Sequence, residues 1–355
     1  MKICFVETES LEEEFFRAEI GGDHDLVFVE ALADAPADIE ILSVFVHSQV
    51  TAQFIAAHPA LRFIACRSSG YDHLALDAAA QRGILVSNVP SYGENTVAEH
   101  SFALLLALSR RLRESLAAYT ANNFSYQELR GFDLKGLTFG IVGTGRIGLH
   151  AARIARGFQM EVLAYDVKTQ PLVAATLDFE YVPFQELLRR SDVVSLYIPL
   201  LPETRHLINR ETLALCKRGV VLINTARGAL VDSAALLAAL ERGQVGGAGL
   251  DVLEDERVLQ QEGTRIIGDQ IVSHVQQSTD SSGDEFRRRG DRVDELRDLV
   301  QNSRLIERPD VIFTPHAAFN SREAVERIDQ QTVFNIRRFL AGTPANLVSA
   351  AGRVT

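Results

Sequence analysis

Residues 137–157 read LTFGIVGTGRIGLHAARIARG. An apolar, β-rich run, Leu137–Val142, passes into Gly143-x-Gly145-x-x-Gly148, and a helix-forming stretch follows. Three glycines alone are a weak signal. Between a strand and a helix they read as a dinucleotide-binding turn, in which each glycine meets a separate need, the plain alternative being a tight βα turn with no ligand. Gly143 permits the tight turn, Gly145 lets the backbone approach a pyrophosphate, and Gly148 lets helix and strand pack closely. The helix N-terminus adds N–H groups and a partial positive charge. Eighteen positions beyond Gly148, at the end of Val162-Leu-Ala-Tyr-Asp166, stands an acid. Asp166 is placed to accept hydrogen bonds from an adenosine ribose diol, and its charge repels a 2′-phosphate, so NAD is expected rather than NADP. Two other strand ends fit the same site: Ile198-Pro199 and Asn224-Thr225-Ala226-Arg227-Gly228. Pro199 cannot donate to a sheet, so it marks a strand end. It is read either as a wall for adenine or ribose, or as a simple breaker.

Outward from this turn, the chain has room for two domains: 355 residues at roughly 100–200 per domain. With 46% hydrophobic and 23% charged residues, it has the composition of a folded protein and not of a disordered one. The net charge of −11 argues against a nucleic-acid partner, which favours a basic surplus. Apolar runs are short (Phe102–Leu108 is typical), so no membrane-spanning helix is expected. The start, MKICFVETES, lacks the features of a secretory signal. Cys4, Cys66 and Cys216 are odd in number, far apart and without metal-type spacing. They read as thiols of a reducing cytoplasm, with no metal site.

Strands alternate with helices along the first hundred residues. Ile3–Val6, Leu26–Val29, Ile41–Val46, Phe63–Cys66 and Ile84–Val86 are separated by helix-like Leu11–Ile20, Thr51–Ala57 and Leu76–Arg82. That alternation predicts an α/β fold with a parallel sheet. A single long helix is expected from about Thr96 to Thr120, with a hinge near Pro90–Asn95. A second series then follows: Leu137–Val142, Glu161–Tyr165, Val193–Ile198, Val220–Asn224 and Gly246–Asp251. The tail, Phe319–Leu340, is again helical. A chain that leaves one domain, builds another and returns predicts residues 1–99 and 318–355 as one domain and 100–317 as the other.

Three polar residues lie just past predicted strand ends: Arg227 after VVLINTA, Glu256 in GLDVLEDE, and His316 after VIFTP. They suit hydride transfer to a 2-oxo acid. A guanidinium holds a carboxylate bidentately while polarising the ketone. An imidazole has the right pKa to give the ketone oxygen a proton. A carboxylate beside it favours the protonated ring. Taken singly, each has a plain alternative: a salt-bridged arginine, a solvated acid, a turn histidine.

The stretches CRSSGYDHLAL (66–76), NVPSYGENTVAEHSFALLLALSRR (88–111), GIVGTGRIG (140–148), LPETRHLIN (201–209), VVLINTARGALVD (220–232), GAGLDVLEDE (247–256) and TPHAAFNSREAVERI (314–328) resemble the NAD-dependent D-2-hydroxyacid dehydrogenases. Within them, the chain is most similar to the D-lactate type. The resemblance covers nearly the whole chain. It implies a central Rossmann domain and a flavodoxin-like substrate domain built from both termini, joined as a homodimer through the NAD-binding domain. It implies that Arg227 binds substrate, that His316 is the acid/base and that Glu256 pairs with it. It also implies that backbone N–H groups of Ser69 and Gly70 take the substrate carboxylate and that Tyr92 lines the pocket. Arg146 and Ile147 would meet the pyrophosphate, with Thr204, Thr225, Ala226 and Asp251 as further NAD contacts. Reversible reduction of pyruvate by NADH to the D-2-hydroxy acid is the expected reaction. The alternatives are a reductase of glyoxylate, hydroxypyruvate or a bulkier 2-oxo acid, and a non-catalytic NAD(H)-sensing co-regulator.

The chain departs from the pattern between Glu256 and His316, 60 residues apart. A charged insertion is expected within about 258–308. From Gln276 to Arg308, 15 of 33 residues are charged, about twice the chain average. Gln276–Gly283 reads as a surface loop. Asp284–Val300 carries Phe286, Val293, Leu296 and Val300 on one face of a possible amphipathic helix.

Overall fold

The computed structural model describes residues 1–22, 24–254 and 300–349. Glu256 and the proposed loop and helix between 276 and 299 lie outside the described residues. The chain divides into two compact units, Met1–Gly93 with Asn320–Thr355, and Glu94–Phe319. The division falls six residues before and two residues after the boundaries expected above. The helix that begins at Glu94 explains the first shift: its buried side chains include Val97, Ala98, Phe102 and Leu105, and the last two join the core of the central unit.

In the terminal unit, five parallel strands are ordered β2-β1-β3-β4-β5. They are β1 (Lys2–Val6), β2 (Asp25–Val29), β3 (Ile41–Val44), β4 (Phe63–Cys66) and β5 (Leu85–Ser87). This is the flavodoxin-like order. β3 and β4 are buried throughout, as a sheet covered on both faces requires. One face packs Ile3, Phe5, Ile41 and Phe63 against Phe16 of α1 (Ser10–Ile20) and Val333 and Ile336 of the C-terminal helix. The other carries Cys4, Leu42, Val44, Ile64 and Cys66, packed with Ile55 and Ala79 of the short α2 (Ala52–Ala57) and α3 (Leu76–Gln81).

The central unit has seven parallel strands: β6 (Thr138–Val142), β7 (Glu161–Tyr165), β8 (Glu180–Tyr181), β9 (Val193–Leu196), β10 (Val220–Asn224), β11 (Val245–Leu250) and β12 (Val311–Phe313). Their order is β12-β11-β10-β9-β6-β7-β8. Counted from β6, that is the Rossmann order with one strand added, and the chain reverses direction across the sheet at β6/β9. The two-residue β8 escapes sequence reading because it is too short to show a period.

The long helix expected from Thr96 to Thr120 is two helices, α4 (Glu94–Ser109) and α5 (Leu112–Thr120). Arg111 between them is left-handed (φ +50°). The cause is tertiary. The Phe132 N–H takes the Ser109 carbonyl at 2.9 Å, so the helix loses that acceptor. Gly131 passes so close to the same carbonyl that a Cβ there would strike it.

The last residues of the 258–308 stretch pack into the central unit. Residues 300–307 are helical, Leu305 is fully buried in the central core, and Asn302 donates from Nδ2 to the Glu254 carbonyl at 2.6 Å. The remaining named elements are α6 (Arg146–Gly157) after β6, α7 (Pro171–Leu177), α8 (Phe184–Arg190), α9 (Arg210–Leu215), α10 (Ser233–Glu241) and the C-terminal α11 (Arg322–Leu340).

Candidate active site

The glycine turn sits where the strand order reverses. Gly143 has φ +100°, and a Cβ there would lie 2.7 Å from the Tyr197 carbonyl oxygen and from Ile198 Cγ2 at the end of β9. A Cβ on Gly148 would run into the Gly143 carbonyl, so this glycine brings α6 onto the turn. Gly145 is the N-cap of α6 and makes no side-chain cap bond. Its would-be Cβ meets nothing within 4 Å. An open, side-chain-free helix N-terminus is what a dinucleotide pyrophosphate fits. Arg146 opens α6 and reaches Glu94 at 3.2 Å, while Ile147 packs on the core behind the turn.

Asp166 follows β7, as expected, but its carboxylate already holds the glycine turn. Oδ2 accepts from the Thr144 N–H (2.6 Å) and hydroxyl (3.0 Å), and Oδ1 from the Lys168 N–H (2.9 Å). A carboxylate has about four acceptor positions, so a ribose hydroxyl has room beside these. Tyr181 from β8, 2.8 Å from the Thr144 hydroxyl, is a neighbour that sequence reading missed.

The other expected cofactor positions line the carboxyl ends of β9, β10 and β11. The Thr204 hydroxyl closes its own turn on the Pro199 carbonyl at 2.8 Å. Thr225 is buried with its hydroxyl 3.0 Å from Ser101 Oγ. At both positions the hydroxyl is engaged within the protein. Asn224 shapes the next two residues: its Oδ1 accepts from the Ala226 N–H (3.1 Å) and its Nδ2 donates to the Arg227 carbonyl (2.9 Å). Arg227 Nη1 donates to the Ala226 carbonyl at 2.8 Å. Gly228 leaves no space for a Cβ, because the Leu253–Glu254 backbone crosses it. Glu254 is itself tied by Arg205 and by His206 Nε2 at 2.8 Å. The chain is thus anchored up to two residues before Glu256.

Asp251, expected as a cofactor contact, also has structural work within the central unit. It is 0% exposed. Its Oδ1 accepts from the Thr314 hydroxyl (2.5 Å) and the Ala317 N–H (2.9 Å), its Oδ2 from the Ala318 N–H (2.9 Å), and its carbonyl from the His316 N–H (2.8 Å). The side chain therefore holds the turn that carries His316, whose backbone is left-handed at φ +53°. His100 from α4 joins the cluster, with Nε2 2.9 Å from Thr314 Oγ1 and 3.5 Å from Asp251 Oδ1. Its only sequence signal is a polar residue on the inner side of an apolar helix. Arg227 and His316 follow β10 and β12, the strands on either side of β11. Those strands are two spacings apart, about 9.5 Å, with Asp251 at the end of the one between. In the terminal unit, Ser69 and Gly70 form the loop after β4, and Tyr92 lies shortly after β5. None of the cysteines offers a thiolate: burial pushes Cys4, Cys66 and Cys216 up to about 11.

Residues 102–318 match the family model of the D-isomer specific 2-hydroxyacid dehydrogenase NAD-binding domain. The chain belongs to the D-2-hydroxyacid dehydrogenases. It is 34% identical to the D-lactate dehydrogenase of Escherichia coli over 343 residues, 95% of this chain and 92% of that one. It is 36% identical to the glyoxylate reductase of Thermococcus litoralis over 274 residues, 75% of this chain and 83% of that one. The D-lactate dehydrogenase of Aquifex aeolicus, solved with NAD and lactic acid, superposes with a TM-score of 0.79 at 33% identity, covering 96% of both chains. The dehydrogenase is an NAD-dependent oxidoreductase acting on the CH–OH group of D-2-hydroxy acids. When bound at the glycine turn, NADH supplies the hydride. The residues described above fit it: the open N-terminus of α6, the close-packed Gly143 and Gly148, and Asp166 beside them.

Proposed function

We propose that this dehydrogenase is a D-lactate dehydrogenase that interconverts pyruvate and D-lactate. The observation that carries the reading is the His316 turn after β12, two strands from Arg227 and fixed by the buried Asp251 carboxylate at the end of β11. The guanidinium of Arg227 clamps the substrate carboxylate and polarises the ketone. The imidazolium of His316 gives its proton to the ketone oxygen as the carbon accepts hydride, and takes it back in the reverse direction. Glu256 pairs with that ring, the N–H groups of Ser69 and Gly70 bind the carboxylate, and Tyr92 bounds the pocket. Pyruvate is preferred over other 2-oxo acids on the similarity to the bacterial D-lactate enzymes across the whole chain. The glyoxylate reductase relative supports a second reading, in which glyoxylate, hydroxypyruvate or a bulkier 2-oxo acid is the substrate.

The active form is a homodimer formed through the central unit, and it works in the cytoplasm, where the three free cysteines stay reduced. Among the described residues, no helix is long and apolar enough to cross a membrane.

The test is NADH oxidation with a panel of 2-oxo acids, followed by chiral analysis of the product. The highest kcat/KM with pyruvate and a D-lactate product are expected. A higher value for glyoxylate or hydroxypyruvate transfers the assignment to the second reading. No turnover with any 2-oxo acid removes both.

A further inference from the structure

Each peptide group is planar and trans, so its C=O and N–H point in opposite directions. Fixing one carbonyl therefore aims the next residue's N–H the other way. In the loop after β4, three successive carbonyls are held from behind. Ser68 O accepts from the Val89 N–H (3.0 Å), Ser69 O from Asn88 Nδ2 (2.8 Å), and Gly70 O from the Ser68 hydroxyl (2.6 Å). Among the described residues, neither the Ser69 N–H nor the Gly70 N–H makes a hydrogen bond. Both residues reach the surface of the unit, whereas Ser68 is buried. Two adjacent N–H groups aimed outward make a cradle for an anion.

The Ser69 carbonyl is the one that a side chain from elsewhere in the sequence holds. That side chain, Asn88, is buried and belongs to a ring of three asparagines. Its own carbonyl accepts from Asn335 Nδ2 (2.9 Å), Asn335 Oδ1 accepts from Asn346 Nδ2 (2.7 Å), and the Asn88 N–H donates to the Asn346 carbonyl (3.1 Å). Asn335 is 0% exposed on α11. Asn88 Oδ1 has no partner among the described residues, so the amide acts there as a donor only. A buried polar ring closed in this way fixes a single geometry, because any slip strands a donor or acceptor away from water.

We propose that Asn88 is a positioning residue for substrate: it sets the direction of the Gly70 N–H, and Asn335 and Asn346 hold it in place. The inference rests on the reading that this loop binds the 2-oxo acid carboxylate.

Asn88→Asp tests it in the full-length enzyme. The replacement has the same shape, but an ionised carboxylate cannot donate to the Ser69 carbonyl and repels it. The KM for pyruvate is expected to rise about tenfold, as for a misaligned bond to a charged group. The kcat should stay within about threefold, and the NADH Kd, from fluorescence titration, should not change. An unmoved KM overturns the inference, whether or not the melting temperature falls. Should Asn88→Asp not fold, Asn346→Ala, at the partly exposed corner of the ring, carries the test. A KM raised about threefold at unchanged NADH affinity supports the inference, and an unchanged KM overturns it. A wild-type enzyme inactive on every 2-oxo acid overturns the underlying reading instead. An active wild type with an unmoved variant KM overturns only the role given to Asn88.

Discussion

A side chain tolerates the left-handed conformation of His316 only where its surroundings impose it. Asp251 does so with four hydrogen bonds, three through its carboxylate and one through its carbonyl. Asp251→Asn leaves the size unchanged but turns an NH2 group toward one of the donors. The turn should loosen, lowering kcat about 10- to 100-fold while the NADH Kd stays within about twofold; His316→Ala should lower kcat further, about 10²- to 10⁴-fold. Steady-state kinetics with a parallel NADH titration checks both, and a loss of NADH binding in either variant contradicts the assigned roles. The positions of Arg227 and His316 just past strand ends were legible because each follows an apolar run that reads as a buried strand. The work of Asp251 was not, because its three side-chain partners lie more than 60 residues away. The same holds for Asp166. Its position after β7 was readable, but its bond to Thr144 depends on how the turn folds back.

At the scale of elements, the break between α4 and α5 starts an arm of unusual character. α5 has no buried residue, although it carries Leu112, Leu116 and Tyr119. Phe124 and Tyr126 beyond it are 76% and 82% exposed. Tyr119 and Phe124 meet edge to face, and exposed apolar side chains grouped in this way suit the proposed dimer contact, with a second copy of the central unit as the occupant expected. Phe124→Asp combined with Tyr126→Asp should convert a dimer into a monomer by light scattering at micromolar concentration. A parent protein that is already monomeric there counts against the dimer. Helical periodicity runs through Arg110 and Arg111 without a sign of the break. Only the return of Gly131 and Phe132 onto the Ser109 carbonyl causes it.

At the scale of the whole molecule, the terminal unit joins segments more than 300 residues apart in sequence around one buried charged cluster. Arg67, 1% exposed, meets Glu12 of α1 at 3.0 Å. Asp329 of α11 is buried beside the two, and burial, followed by repulsion from Glu12, pushes its carboxyl up to about 7. Its proton is held in the folded state and released in the unfolded state between about pH 4 and pH 7. Stability from this group is therefore lost as pH rises through that window. Asp329→Asn should raise the melting temperature at pH 8 by about 3 °C or more and change it little at pH 4; an equal effect at both pH values would show that the carboxyl is not shifted. Two parallel α/β series, the location of most of their strands and the glycine turn were determined by sequence alone, because apolar period and glycine placement are local properties of the chain. The buried clamps at Asp251 and Asn88 and the environment of Asp329 were decided only by tertiary structure. A polar side chain's role depends on which distant donors and acceptors the fold brings within 3 Å of it, and no local pattern records that.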